Sequence, residues 1–226
     1  MIPWIKLASA PIPGGGEMRL YQHGRDLSIR VGRDELMNSR AHASEDALAA
    51  LALARLGGHA APTILIGGLG MGFTAAAALR GLGPDGRILV AELVPEVVEW
   101  NRGVLAEVAG RVLDDPRVTL HVGDVAVVLR ERRSAFDAIL LDVDNGPSGL
   151  TAEANHWLYG VVGLQRAHAA LRPGGVLTVW SAVRDEGFTR RLIQARFTVE
   201  IDTVFAHGTR GPRHVIWLAT RRSATV

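Results

Sequence analysis

Two acidic residues at the end of one apolar run carry the strongest chemical signal in the chain. In Phe136-Asp-Ala-Ile-Leu-Leu-Asp142-Val-Asp144-Asn145-Gly146-Pro147-Ser-Gly149, a strand delivers Asp142 to its carboxyl end. Asp144 and Asn145 follow on a loop that Asn145-Gly146-Pro147 makes sharp. A carboxylate at such a place can orient an ammonium nucleophile and take its proton, assistance worth roughly 10²–10⁴ in rate. The plainer alternative is that Asp142 fixes the loop through backbone hydrogen bonds. Asp142 and Asp144 are therefore the catalytic candidates, and Asn145 and Pro147 the candidates for acceptor contact. Trp157 and Tyr159 open the next helix; they either line an acceptor pocket, with cation–π attraction to an amine, or belong to the core.

A second constellation precedes the first. Ile64-Leu-Ile-Gly-Gly68-Leu-Gly70-Met-Gly72-Phe73 is a strand running into a glycine turn and then a helix. The spacing Gly68-x-Gly70-x-Gly72 lets the backbone turn tightly and approach a ligand, with a helix N-terminus aimed at it. The next strand ends in Glu92, twenty residues after Gly72, where a ribose diol can donate two hydrogen bonds. The third ends in Asp124, with Val125 beside it. That acid either caps the following helix or accepts from an adenine amino group, and the two uses compete for its oxygens. Together these strand ends form a crevice at the carboxyl edge of a sheet, the expected ligand position.

The elements that must hold these residues are legible as periodicities. Met18–His23 and Leu27–Val31 alternate around Gly24 and predict a hairpin, with Pro11–Gly16 a flexible entry. Ser44 is the expected N-cap of a helix to about Leu56. From Pro62 onward, short apolar runs (Thr63–Ile66, Arg87–Ala91, Arg117–Val122, Phe136–Leu141, Gly175–Trp180) alternate with helical stretches (Phe73–Leu82, Pro95–Val108, Val125–Arg132, Ala154–Leu171). Such near-continuous apolar strands suit a parallel sheet covered on both faces. After a helix near Asp185–Ala195, the strands Phe197–Val204 and His214–Thr220 follow each other without a helix between them. The expectation is an α/β, doubly wound, seven-stranded, mostly parallel sheet, class I methyltransferase-like with the last strand antiparallel, preceded by a small β-hairpin and helix. The expected division is 1–56 for the leading part and 57–226 for the Rossmann-like domain.

Composition excludes several alternatives. The chain has 226 residues and no cysteine, so disulfides and zinc–thiolate sites are impossible; its eight histidines are scattered singly, and no metal is expected. Lys6 is the only lysine, which removes a P-loop. Ser148 does not make a hydrolase elbow, because that motif requires glycine where Leu150 stands. Net charge is +2, and Arg130, Arg132 and Arg133 form too short a cluster to predict nucleic-acid binding. The N-terminus lacks the pattern of a signal peptide and the longest apolar run, Ala47–Ala54, is too short to span a bilayer, so a cytoplasmic location without membrane contact is expected.

With these residues in hand, the sequence resembles the spermidine synthase (polyamine aminopropyltransferase) family over about Arg19–Trp180. The resemblance is carried by ILIGGLGMG, AELVPEVVEWNR, DDPRVTLHVGD, FDAILLDVDNGPSG and LRPGG. It implies S-adenosylmethionine or its decarboxylated form as cofactor, with Glu92 on the ribose, Asp124 on the adenine and Asp142 as catalytic base. It also implies a small amine acceptor and a homodimer. The family's Gly-Gly-Gly-Asp-Gly-Gly has Gly70 at the place of the aspartate that holds the cofactor's amino group. Its second loop carboxylate is displaced to Asp144, and its Tyr-His/Gln-Glu channel motif aligns with Ser44-Glu45-Asp46, which makes Glu45 a substrate-binding candidate.

Three functions follow as expectations. The first is transfer of an alkyl (aminopropyl) group from an adenosyl sulfonium to a small amine. The second is S-adenosylmethionine-dependent methylation of a small molecule on the same scaffold. The third is a nucleoside-binding module without turnover.

Overall fold

The computed structural model describes residues 2–143, 157–207 and 210–223. The leading part is more than a hairpin. Strands β1 (Ile5–Pro11), β2 (Glu17–His23), β3 (Asp26–Val31) and β4 (Asp34–Asn38) form an antiparallel four-stranded sheet in that order. The hairpin read from the sequence is its middle pair. Two tight connections, Gly24-Arg25 and Gly32-Arg33, close the β2–β3 and β3–β4 hairpins, with both glycines at φ near +60°. A left-handed residue costs glycine little and other residues much more. Pro11–Gly16, read as a loose entry, is the end of β1 and a turn closed by Gly15 N–H to the Ile12 carbonyl at 2.9 Å.

Helix α1 runs from Ala43 to Arg55, and the N-cap position is His42 rather than Ser44. The His42 ring stacks on Phe73 at 4.4 Å and its Nδ1 lies 2.9 Å from Asp46 Oδ2. Ser44 is inside the first turn, where its hydroxyl donates to Glu45 Oε2 at 2.6 Å. The helix packs against α2 and against strands β9 and β10 of the large sheet.

That sheet comprises β5 (Thr63–Gly67), β6 (Arg87–Glu92), β7 (Val118–Val122), β8 (Phe136–Leu141), β9 (Leu171–Ser181), β10 (Phe197–His207) and β11 (Arg210–Arg221), ordered β10-β11-β9-β8-β5-β6-β7. Strand β11 runs antiparallel to both neighbours, and the pairs among β5 to β9 are parallel. The helices α2 (Phe73–Gly81), α3 (Pro95–Arg102), α4 (Val125–Glu131), α5 (Val161–Ala170) and α6 (Glu186–Gln194) cover its faces. Helix α3 stops six residues before the predicted Val108, because Gly103 leaves helical geometry at ψ −108°. Among the described residues, no helix is long and apolar enough to cross a membrane.

Alternating strand residues feed two cores, one on each face. Ile64, Ile66, Val90 and Leu140 pack towards α1–α3, while Leu65, Ile139, Leu177 and Trp217 pack towards α4–α6. The chain order reverses between β6 and β8, which flank β5 on opposite sides, so the crevice opens above Gly67.

Trp217 is fully buried, meets Phe188 edge-on at 5.0 Å and donates its indole N–H to Thr189 Oγ1 at 2.9 Å. Trp217→Ala should lower the unfolding free energy by about 3–5 kcal/mol in urea titrations; a loss below 1 kcal/mol would show that the second core is not packed around this ring.

Candidate active site

The register of the central strands brings their carboxyl ends to one level. Gly67 pairs with Ala91 on one side and Leu141 on the other, Glu92 pairs with Val122, and Leu141 pairs with Val179. One residue further along, the chain delivers Gly68, Asp142 and Trp180 to a common rim. Above it the four-stranded sheet supplies a roof, through Met18, Ile29, Val31, Leu36 and Met37. The cavity is about 450 Å³ and also borders Glu45, Glu92, Asp124 and His214.

The glycine turn is built around close backbone contact. A Cβ at Gly68 would lie 2.5 Å from the Asp142 carbonyl oxygen, and its φ of +88° already favours glycine. Gly68 N–H donates to the Ala91 carbonyl at 2.9 Å and Asp142 N–H to that of Gly67 at 3.0 Å, so the turn is stitched to both flanking strands. Gly72 heads α2 in the left-handed conformation. At Gly70 a Cβ would meet the Met37 thioether, 2.6 Å from Cε: a side chain from β4 fills the space beside the turn. Buried Asn101 secures the turn from behind, donating to the carbonyls of Gly70 (2.8 Å) and Val97 (2.9 Å). Sequence reasoning misses Asn101; within AELVPEVVEWNR its only signal is a polar side chain on the inward face of a helix.

Glu92 is 7% exposed. Its two oxygens accept from Leu69 N–H and Val94 N–H, each at 2.8 Å. Burial pushes this carboxyl above its usual range against the pull of those amides. Each carboxylate oxygen has a second lone pair, so the pinned group keeps acceptor capacity towards the cavity it borders. Asp124 caps α4, with Oδ1 accepting from Ala126 N–H at 2.8 Å. A single cap bond engages one of its two oxygens, and the residue also borders the cavity beside Val125. The two uses weighed for Asp124 are therefore compatible.

Asp142 accepts from Thr74 Oγ1 through Oδ2 at 2.6 Å. Desolvation raises its pKa, and the threonine hydroxyl opposes the rise. Glu45 approaches from α1. Burial and then the negative field of Asp142 push its pKa up to about 7, with Ser44 working the other way. The five carboxylates bordering the cavity face no lysine or arginine among its described lining residues. Glu35 is the exception in kind: Ser28 and Asn38 hydrogen-bond to it at 2.7 and 2.8 Å, and Arg30 stands 3.8 Å away. The described residues hold no group of three or more potential metal ligands, so these acids are spread along the cavity and do not converge on one point.

The structure thus gathers Gly68, Gly70, Glu92, Asp124, Val125, Glu45 and Asp142 around one cavity, with Gly72 at the adjoining helix start. Asp144, Asn145 and Pro147 lie outside the described residues. Trp157 and Tyr159 are not among the residues bordering the cavity: Arg130 stacks on Trp157 at 3.9 Å, and Tyr159 is buried in the second core with its hydroxyl 3.2 Å from the Val143 carbonyl. The aromatic wall is Trp180 instead, packed edge-on to His214 at 4.8 Å. It is the penultimate residue of β9, in a run whose sequence reads only as core.

Three comparisons bear on this site. The model of the spermine/spermidine synthase domain matches residues 64–203, more than half of the chain. The polyamine aminopropyltransferase of Nitrosomonas europaea is 33% identical over 93 residues, 41% of this chain and 27% of that protein. That of Corynebacterium efficiens is 35% identical over 125 residues, 54% and 23% of the two chains. These matches span about a quarter of the curated relatives' length. Among solved structures, spermidine synthase from Thermotoga maritima superposes with a TM-score of 0.77 at 16% identity, covering 97% of this chain and 74% of that one. A spermidine synthase in complex with the transition-state analogue AdoDATO gives 0.76 at 17%, covering 97% and 73%. At such identities the superpositions establish a shared fold.

The raised pKa of Glu45 has a consequence for stability. A carboxyl whose folded pKa is about 7, against an ordinary value of 4.5, favours folding when protonated and loses that advantage as pH rises through this window. Glu45→Gln should therefore match wild type near pH 4.5 and exceed it by about 2–3 kcal/mol at pH 8, read from denaturant melts at both pH values. A gap that does not widen with pH would contradict the burial of this charge.

Proposed function

Because the chain belongs to the spermine/spermidine synthase family, we propose that it is a transferase moving an aminopropyl group from decarboxylated S-adenosylmethionine to a small amine. One observation carries the reading: Glu45 and Asp142 meet at an otherwise largely apolar cavity with no lysine or arginine on its described lining. Such a pair is satisfied by a cationic guest and repels an anionic one.

The nucleoside end fits an adenosyl group. Glu92, pinned by two amides, presents fixed acceptors to ribose hydroxyls, and Asp124 offers an acceptor to the adenine amino group beside Val125. Gly68 and Gly70 border the same cavity, so their backbone lies within reach of a bound ligand. A bound sulfonium supplies an electrophilic carbon and a neutral thioether leaving group. This chain's residues do the remainder. Asp142 orients the acceptor amine and takes its proton as the new C–N bond forms, and the negative charge that the Glu45–Asp142 pair shares attracts a cationic acceptor. Positioning of this kind contributes as much as proton transfer, because two reactants held in line no longer have to find each other.

A second reading has its own observation. Met37 occupies the space where a side chain at Gly70 would project, so no carboxylate stands at the place of the family's amino-binding aspartate. This removes one partner for an aminopropyl ammonium and leaves S-adenosylmethionine-dependent methylation as the second reading. The proposed setting for either reaction is the cytoplasm, and a homodimer is the assembly that the family resemblance implies.

Calorimetry with S-adenosylmethionine, its decarboxylated form and 5′-methylthioadenosine separates the readings. The decarboxylated ligand should bind best for aminopropyl transfer, the intact one for methylation. Asp142→Asn should reduce turnover about 10²–10⁴-fold with 1,4-diaminobutane as acceptor and leave 5′-methylthioadenosine affinity within about twofold. Equal loss of both would make Asp142 a structural residue.

A further inference from the structure

The acid at the reaction centre is held by more than its own strand. Thr74 is the second residue of α2 and is 3% exposed, and its hydroxyl donates to Asp142 Oδ2 at 2.6 Å. The contact joins two elements 68 residues apart. On the opposite side, Asp142 N–H is fixed to Gly67, and the Asp142 carbonyl lies where Gly68 tolerates no side chain. A β-branched side chain at a helix start has few rotamers to sample, so the donor is as fixed as the turn that carries it. The first turn of α2 also places a helix N-terminus near the carboxylate, which favours its charged form.

Glu45 on α1 is the mirror of this arrangement. Its Oε2 accepts from Ser44 Oγ at 2.6 Å, so each acid of the pair has one hydroxyl donor. Two carboxyls that repel each other cannot ionise independently; the first proton lost belongs to the pair, and the donors decide which member carries the charge. The other titratable groups bordering the cavity are Glu92 at the end of β6, Asp124 before α4, Glu35 on β4 and His214 on β11. Asp46 adds to the negative field at Glu45.

We propose that Thr74 is a positioning residue: its hydroxyl aims Asp142 at the acceptor and keeps the negative charge of the Glu45–Asp142 pair on Asp142. The glycine turn and the base are then one mechanical unit, because the helix that begins at the nucleoside-binding turn also supplies the hydroxyl that tunes the proton acceptor. This rests on Asp142 acting as the base.

The test uses the full chain with ¹³C-labelled side-chain carboxyls, read by NMR across pH 3–9 in wild type, Thr74→Val and Thr74→Ser. The valine variant keeps the shape and loses the donor, so the Asp142 midpoint should rise by about one pH unit and the serine variant should return to within a few tenths of wild type. Thr74→Ala gives the same reading if valine is not tolerated. In turnover assays with 1,4-diaminobutane the acid limb of the pH–rate profile should move up by the same amount, a shift that a loss of stability alone does not produce. An unmoved Asp142 midpoint in a folded donor-less variant overturns the proposal, as does a serine variant that behaves like valine. The carboxyl titration is read without turnover, so a chain that titrates as expected yet transfers nothing refutes the proposed reaction and leaves the role of Thr74 standing.

Discussion

Negative charge held in a cavity without its counter-charge is the constraint on which the rest of the structure depends. Carboxylates leave water at a cost of several kcal/mol each unless a partner or a ligand compensates. In this chain the compensation is divided. Glu35 has Arg30 and two side-chain donors, and Glu92 has two backbone amides. Glu45 and Asp142 have a single hydroxyl each and repel one another. The residual unfavourable energy lies at this pair of acids. In the proposed reaction an ammonium guest would relieve that repulsion, and the same relief would favour cations over anions.

The scaffold is stiff where this charge sits. Tight packing between the glycine turn and the Asp142 backbone, the Asn101 brace and the Thr74 hydroxyl fix the acid from several directions. The proposed catalysis by positioning would require such rigidity, since a carboxylate free to turn towards solvent would recover its hydration and lose its basicity. The N-terminal sheet contributes on the other side. Its apolar residues Met18, Ile29, Val31, Leu36 and Met37 line one side of the cavity and lower the local dielectric, which strengthens the charges they face.

Much of this was legible in the sequence, for identifiable reasons. The parallel strands are near-continuous apolar runs that end at Gly67, at Glu92 and at Leu141 just before Asp142, so periodicity alone placed those groups at one edge. The closing antiparallel strand followed from two strands with no helix between them. Less legible were features decided by partners far along the chain. β4 is short and half polar, and Gly32-Arg33 repeats the signal of Gly24-Arg25 without the alternation that made the first hairpin visible. Ser44 has the residue type of an N-cap, yet His42 takes that position through stacking on Phe73, 31 residues away. Thr74 and Trp180 look like ordinary helix and core residues, because their roles come from contacts that only the folded sheet creates. Tyr159 shows the converse: an aromatic read from the sequence as a candidate for the acceptor pocket that the second core absorbs.

The proposed chemistry requires an amine nitrogen to meet Asp142 between the nucleoside site and Trp180. The most direct measurement is a crystal structure of the chain with 5′-methylthioadenosine and 1,4-diaminobutane bound together. The nucleoside should lie against Glu92 and Asp124, with one amine nitrogen about 3 Å from Asp142 and within reach of Glu45. A structure in which the diamine sits outside this cavity, or the nucleoside avoids Glu92 while both ligands are bound, would contradict it.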